Sequence, residues 1–217
     1  LIPVVPATSG GGLTVRGSLA ATLGANQPGV PNQALSNSSN APAIQLVVTA
    51  GAGESVRLTA LTLTPTGTGD DQLGVTAVDL IEDVDRSGTF TGGDLVIQSQ
   101  GYPADNSALS FSAPGGLLAG DVAPLTSRTL LLRYRLAGQA SEGQSFALQI
   151  PTTSWTATGV SSAISIPISG ATLATTGNPI VAQRAQLTFS LGPQNPNASD
   201  VLNGASAVPV LQLIASA

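Results

Sequence analysis

The chain has 217 residues, of which 42% are hydrophobic, 9% charged and 3% aromatic, and its net charge is −5. Binding of nucleic-acid phosphates needs clustered Lys and Arg, so this acidic balance argues against a nucleic-acid partner. The chain contains no His, no Cys and no Lys, which excludes the usual catalytic triads, thiol chemistry and lysine Schiff bases. We therefore expect a protein that is not an enzyme.

The composition also indicates where the protein is located. A surface poor in charge and rich in Ser, Thr, Asn and Gly is typical of proteins outside the cell. The N-terminal segment LIPVVPATSGGG begins without Met, and we interpret it as the mature end of a secreted protein after removal of a signal peptide. An end left by tag cleavage is the alternative. No apolar run is long enough for a transmembrane helix, so we expect an extracellular, cell-surface protein without membrane insertion.

Apolar side chains alternate with a period of two along almost the whole chain, which predicts an all-β protein. The run 56–63 changes phase, and this predicts a β-bulge near Ala60. Clusters of Gly, Pro, Asn and Asp separate the runs, and about nine short strands at this spacing predict an immunoglobulin-like β-sandwich. In chain order the predicted strands are 42–50, 56–63, 75–81, 95–98, 109–112, 130–136, 146–150, 164–168 and 187–191.

A duplication links the two ends of the chain. Residues 191–217 align with residues 23–50 with one gap, which marks a repeated structural unit. We predict an N-terminal extension (1–12), a β-sandwich domain (13–184) and a C-terminal segment (185–217) that repeats the first strand of the domain. The aligned pairs are Leu23 with Leu191, Gly24 with Gly192, Pro28 with Pro196, Leu35 with Leu202, Pro42 with Pro209, Gln45 with Gln212, Leu46 with Leu213 and Ala50 with Ala217.

Two polar segments, 24–40 and 193–206, occupy matching places in the two copies, and we expect both to be surface loops. Each contains one Asn-x-Ser sequon, at Asn37 and at Asn197, and these are candidate glycosylation sites. Trp155, the only Trp, is expected to anchor the core or an interface rather than to bind sugar.

Residues 83–94 have the spacing of a twelve-residue calcium loop, with oxygen ligands at positions 1, 3, 5, 7, 9 and 12 and Gly at position 6. Gly88 falls at position 6. The sequence therefore predicts a calcium site, whose candidate ligands are Asp83, Asp85, Ser87, the carbonyl of Thr89, Thr91 and Asp94.

Two positions of this loop depart from the usual pattern, because Ser87 is a neutral ligand and Asp94 is shorter than the usual Glu. A metal-free hairpin loop is the alternative, since Asp and Gly favour turns in any case. Glu82, Asp70 and Asp71 are additional acidic residues, which we expect to be solvated in turns.

The order of these motifs resembles a repeat domain of bacterial and archaeal surface proteins, in which an immunoglobulin-like sandwich carries a dockerin-like or EF-hand-like calcium loop. The resemblance runs from about Leu13 to Leu136, and its most specific parts are AGAGESVRLT (50–59) and the loop 83–94. It implies a structural or adhesive role at the cell surface rather than catalysis.

The terminal strand suggests how the protein assembles. An apolar strand without a sheet is an aggregation hazard unless a partner accepts it. We therefore expect a filament or pilus subunit that polymerises with copies of itself by donating the strand 208–215, through Val210, Leu211, Leu213 and Ile214. The alternative is one repeat domain of a larger surface adhesin or envelope-layer protein. A monomeric binding module is a third possibility, and the N-terminal segment 1–5 is a rival donor strand.

Overall fold

A computed structural model describes residues 16–175, 177–194, 203–204 and 211–216. The chain divides into two compact units, Leu1–Gln183 and Arg184–Ala217. The N-terminal segment, Asn197 and Val210 lie outside the described residues, so the expectations for them stay predictions. Among the described residues no helix is long and apolar enough to cross a lipid bilayer.

The described residues form sixteen strands, one four-residue α-helix and one 3₁₀ turn. The strands of the first unit are β1 (Leu19–Leu23), β2 (Gln33–Leu35), β3 (Ala41–Ala50), β4 (Val56–Gly67), β5 (Val75–Glu82), β6 (Leu95–Gln100), β7 (Leu109–Ser112), β8 (Ser127–Leu136), β9 (Ser145–Ile150), β10 (Trp155–Gly159), β11 (Ser165–Ile166), β12 (Ile168–Ser169), β13 (Leu173–Ala174) and β14 (Ile180–Gln183). Helix α1 is Asp71–Gly74 and the 3₁₀ turn is Thr152–Ser154, while β15 (Thr188–Leu191) and β16 (Leu213–Ser216) form the second unit.

Two sheets pack face to face in the first unit, and the predicted all-β sandwich is confirmed. One sheet has the order β12-β1-β3-β8-β5-β6, and the other has the order β11-β10-β4-β9-β14-β2, with β7 beside β4 and β13 beside β9. Side chains of alternate residues from both sheets fill the space between them, as the period-two pattern predicts. Leu46, Leu61, Leu132 and Leu148 are completely buried there.

Several local features differ from the sequence-based expectation. The count of strands exceeds nine because short strands of two to five residues also form, such as β2 inside the predicted loop 24–40. The predicted strand 164–168 is split at Pro167, so that β11 joins one sheet and β12 the other. Pro cannot donate to a ladder, and the chain changes sheets at this residue. The bulge predicted near Ala60 is present, since Ala60 and Leu58 of β4 face consecutive residues of β10.

A buried carboxylate holds one side of the sandwich closed. Glu54 is 7% exposed, and it accepts hydrogen bonds from the backbone of Gly17, Ser161 and Ser162 and from the Ser162 hydroxyl at 2.7–3.1 Å. The Ser162 hydroxyl and backbone N–H lower the pKa of Glu54 to about 2, although burial opposes this. The charged form of Glu54 therefore ties the chain before β1 to the loop after β10.

In the second unit the predicted strand 187–191 finds a partner in the C-terminal strand. β15 and β16 pair antiparallel, from Thr188 opposite Ser216 to Leu191 opposite Leu213. The second unit is therefore a two-stranded ribbon, because β15 (Thr188–Leu191), where the aligned segment begins, forms the partner strand. Within the described residues β16 is thus a paired strand and not an unpartnered one.

Candidate metal centre

The loop between β5 and β6 brings three carboxylates together. Asp83 follows β5 directly and Asp94 precedes β6, so the hairpin geometry places the two ends of the loop side by side. Oxygen atoms of Asp83, Asp85 and Asp94 all lie within 4.8 Å of one another. A hard cation such as Ca²⁺ is bound by oxygen ligands at about 2.3–2.6 Å, so this spacing suits a shared ion.

Backbone N–H groups orient the first carboxylate. Asp83 Oδ1 accepts from Ser87 N at 3.0 Å, and Asp83 Oδ2 accepts from Gly88 N at 2.9 Å. Gly88 has φ +75°, and a Cβ there would overlap the carbonyl oxygen of Asn26. Position 6 therefore needs glycine both for its backbone conformation and for this close approach.

The other candidate ligands belong to the same cluster. Asp94 Oδ1 accepts from Val84 N at 2.9 Å, and Asp94 Oδ2 accepts from Thr91 N at 2.7 Å. The Thr91 hydroxyl lies 3.0 Å from Asp85 Oδ2 and 3.1 Å from Asp94 Oδ2.

Ser87 and Thr89 complete the set. The Ser87 hydroxyl donates to the Thr89 carbonyl at 2.8 Å, and Ser87 N donates to Asp85 Oδ1 at 3.0 Å. The structure thus brings together all six residues that the sequence predicts as ligands.

The loop carries more negative than positive charge, since Arg86 is its one basic residue beside three carboxylates. Asp83 is only 2% exposed. In the described part of the chain four ion pairs occur, and none of them involves Asp83, Asp85 or Asp94. Hydrogen bonding with Ser87 holds the pKa of Asp85 below its usual value, so this carboxylate stays charged. Buried charges in proteins are paired or coordinate metals, and this loop fits a divalent cation.

Two residues that the sequence analysis missed attach the loop to the β1–β3 side of the sheet. Gln45 is 1% exposed, and its Nε2 donates to Asp83 Oδ2 at 2.7 Å and to the Arg86 carbonyl at 3.1 Å. Asn26 Nδ2 donates to the same carbonyl at 2.7 Å. The period-two pattern places Gln45 on the face away from the core, but it gives no sign that the loop covers that face. The sequence held one signal that Gln45 matters, which is that the aligned C-terminal copy has Gln212 at the same position.

The loop covers part of the outer face of the sheet. Ile81 and Leu131 are completely buried outside the main core, and the Phe90 ring lies 3.9 Å from the Arg133 guanidinium carbon. Beneath them Asp79 is completely buried and pairs with Arg133 and Arg135. Burial opposes ionisation, but hydrogen bonds from Arg135, Ser99 and Arg133 hold the pKa of Asp79 below its usual value. The loop therefore protects a charge network on this face.

The additional acidic residues differ from the expectation of solvated turns. Glu82 pairs with Arg128 at 2.8 Å, and Asp70 caps α1 by accepting from Leu73 N at 2.9 Å. Asp71 is only 2% exposed, and burial raises its pKa to about 6. The expectation was wrong for Asp71 because α1 turns this side chain inward, which the sequence pattern does not reveal.

The candidate glycosylation and strand-donation residues that the structure describes are exposed, whereas Trp155 is not. Asn37 is exposed in a turn with φ +67°. Leu211, Leu213 and Ile214 are 56%, 55% and 43% exposed. Trp155 is buried in the core.

Comparison with known proteins gives little further information. No family model matches the chain, and no curated protein matches it. Among solved structures, a crystal structure of a CaDoc0917 variant in complex with CaCohA2 is 13% identical with a TM-score of 0.33, covering 77% of this chain and 99% of that one. A type III cohesin module from the cellulosomal ScaE cell-surface anchoring scaffoldin of Ruminococcus flavefaciens is 12% identical with a TM-score of 0.26, covering 79% of this chain and 89% of that one. At these TM-scores the likeness supports no functional conclusion.

Proposed function

We propose that the chain is a non-enzymatic structural module of an extracellular surface protein, built from tandem sandwich domains and stabilised by calcium. The observation that carries the proposal is the duplicated hairpin. The first copy opens a complete sandwich, whereas the second forms a separate unit with large exposed apolar side chains. A repeat unit of this kind buries its apolar face only when the rest of its domain is present. Arg184–Ala217 is therefore the opening of a further domain.

Intact mass of the native protein tests the tandem arrangement. The chain has a mass of 21.4 kDa. Antibodies against the sandwich should detect, in denatured surface extracts, a covalent chain clearly heavier than this after deglycosylation. A single deglycosylated species of 21.4 kDa would overturn the tandem arrangement and favour a one-domain subunit.

Calcium is assigned a structural role in this proposal. The Asp83–Asp94 loop covers the outer face of the sheet and touches the β1–β3 side through Gln45 and Asn26. A cation that neutralises its carboxylates stabilises the loop over the buried Asp79 network. With three carboxylates and a short closing Asp, we expect a dissociation constant on the order of 10⁻⁴–10⁻³ M, as in extracellular modules.

The calcium proposal makes a quantitative prediction for thermal unfolding. At about 10 mM calcium this affinity adds roughly 1.4–2.7 kcal/mol to the stability of the folded state. For a domain of this size, that raises the melting temperature by about 3–10 °C. Replacing Asp83 and Asp85 together by Asn should abolish the increase.

A matched control separates specific binding from general charge effects. Glu142 is exposed and distant in sequence from the loop, so Glu142→Gln removes a negative charge without touching the cluster. This variant should keep the full calcium response. Equal melting of the wild type in calcium and in chelator would eliminate the metal proposal.

Head-to-tail polymerisation by strand donation is the second candidate. Its support is the exposed apolar surface at β16 and just before it: Leu211, Leu213 and Ile214. Deleting residues 208–217 should then leave a folded monomer that cannot form filaments. Normal filaments from the truncated chain, or a full-length chain that stays monomeric at high concentration, would exclude this candidate.

A further inference from the structure

The two hairpins of the chain share one register. In the first unit Leu23 lies opposite Leu46, and in the second unit the aligned residues Leu191 and Leu213 lie opposite each other. The similarity between the two segments therefore extends from sequence to strand pairing, so the first hairpin is a template for the second.

The hydrogen bonds at the end of each hairpin also match. Gly24 N donates to the Gln45 carbonyl at 2.9 Å, as Gly192 N does to the Gln212 carbonyl. The two glutamine side chains behave alike, because Gln45 Oε1 accepts from Asn26 N at 2.9 Å and Gln212 Oε1 accepts from Gln194 N at 2.8 Å. In both copies the glutamine side chain occupies the space where a Cβ of the glycine would lie.

In the first unit the structure shows what covers such a hairpin. The edge of β3 that faces away from β1 pairs antiparallel with β8, and Leu46 lies opposite Leu130. With β8 and the facing sheet in place, Leu19, Leu46 and Val48 are completely buried. The same positions of a second copy have to meet an equivalent strand to be buried to the same degree.

In the second unit this cover is missing within the described residues. β15 and β16 form a two-stranded sheet there, with no further strand paired to it. The large apolar side chains are 43–63% exposed: Leu187, Phe189, Leu191, Leu211, Leu213 and Ile214. A two-stranded ribbon is marginally stable in water, and a third strand on an apolar face is what gives it independent stability.

The direction of the backbone groups identifies the accepting edge. The Gln212 carbonyl points to β15, because it accepts from Gly192 N. Successive residues of an antiparallel strand point their N–H and C=O groups to opposite sides. Leu213 and Ala215 therefore direct their N–H and C=O groups away from β15. The corresponding residues of the first copy, Leu46 and Val48, direct these groups toward β8.

We propose that this outer edge of β16 is an acceptor for a strand of the β8 type, supplied by the repeat that the hairpin opens; the proposal therefore rests on the tandem arrangement. The partner has the β8 pattern, with apolar residues at alternate positions facing the core, as Leu130, Leu132 and Leu136 do. β8 of the first unit is paired on both edges, with β3 and β5, and is not free to serve. β16 thus receives a strand rather than donating itself.

A synthetic β8 peptide tests the proposal on the full chain. The probe is a fluorescently labelled peptide of residues 126–137, TSRTLLLRYRLA, and binding is followed by anisotropy. We expect saturable binding of one peptide per chain. Leu213→Lys places a charge on the apolar face without removing a hydrogen bond to β15, and it should weaken binding about tenfold or more.

Two N-methylated peptides provide the matched control. Leu130 directs its N–H to β3, whereas Thr129 directs its carbonyl to Asp83 N on the β5 side, so Leu131 also points to β5. Methylation of the Leu130 nitrogen should weaken binding about tenfold or more, while methylation of the Leu131 nitrogen should leave it unchanged.

Three results would overturn the proposal. These are absence of saturable binding, equal binding of the two methylated peptides, and self-association of the chain that excludes the peptide, which would identify a second copy as the occupant. If the native protein is nevertheless a covalent chain clearly heavier than 21.4 kDa, the tandem arrangement stands and only the acceptor proposal fails. The mass measurement therefore distinguishes failure of one proposal from failure of the other.

Discussion

Asp71 provides a strong test of the electrostatics of the first unit. Its side chain is 2% exposed, and Oδ1 has no hydrogen-bond partner among the described residues. Burial raises the pKa from 3.8 to about 6, the N–H of Asn106 opposes this, and the charges of Asp105 and Asp70 add to it. The folded protein therefore disfavours the charged form of this one carboxyl.

The direction of the pH effect follows from the raised pKa. Below about pH 4 Asp71 is protonated in both the folded and the unfolded chain, and its burial imposes no ionisation cost. As the pH rises from about 4 to about 6, the unfolded chain releases this proton first, so the free energy of unfolding falls. Above about pH 6 the loss is complete, and a shift of this size corresponds to about 3 kcal/mol.

Urea unfolding of wild type and Asp71→Asn, followed by the fluorescence of the buried Trp155, measures this effect. The variant should gain stability relative to wild type as the pH rises from about 4 to about 7, by up to about 3 kcal/mol. Contributions from carboxyls distant from Asp71 cancel in the difference between the two proteins. Glu142→Gln should track the wild type at every pH. A difference between Asp71→Asn and wild type that is the same at about pH 4 and about pH 7 would refute the reasoning.

Three further predictions concern residues that hold loops in place. Because the pKa of Glu54 is lowered, its contribution to stability is present above about pH 4.5 and is lost as the pH falls to about 2. In Glu54→Gln the urea midpoint should lose this part of its dependence on acid. A pH profile of the midpoint that is unchanged from wild type would contradict the prediction. Gly88→Ala should cost about 1–3 kcal/mol in unfolding free energy and weaken calcium binding in calorimetry, whereas Gly92→Ala, where a Cβ meets nothing within 4 Å, should leave both unchanged. Gln45→Leu should cost about 1–3 kcal/mol in chemical denaturation because it removes the side-chain donor to Asp83 Oδ2 and to the Arg86 carbonyl, and wild-type stability would show that these bonds are dispensable.

Local patterns in the sequence were sufficient for the fold class and for the composition of the candidate site. Alternation of apolar residues depends only on neighbours along one strand, so strands such as β5, β7 and β9 could be located from it. The ligand spacing of 83–94 is equally local, because one short loop carries all six residues. The phase change near Ala60 predicted the bulge for the same reason.

Tertiary structure decided what lies against each of these elements. The period-two pattern assigns Gln45 and Arg133 to the outer face of a sheet, but only the folded chain shows that the loop covers that face and buries both. The same holds for Asp71. The local sequence predicts a solvated turn there, but in the folded chain α1 directs the Asp71 carboxylate inward. The sequence by itself revealed the duplication, whereas strand pairing showed that β15 and β16 of the second copy form a hairpin. Pairing and burial join residues far apart in the chain, and a one-dimensional pattern carries no information about such contacts.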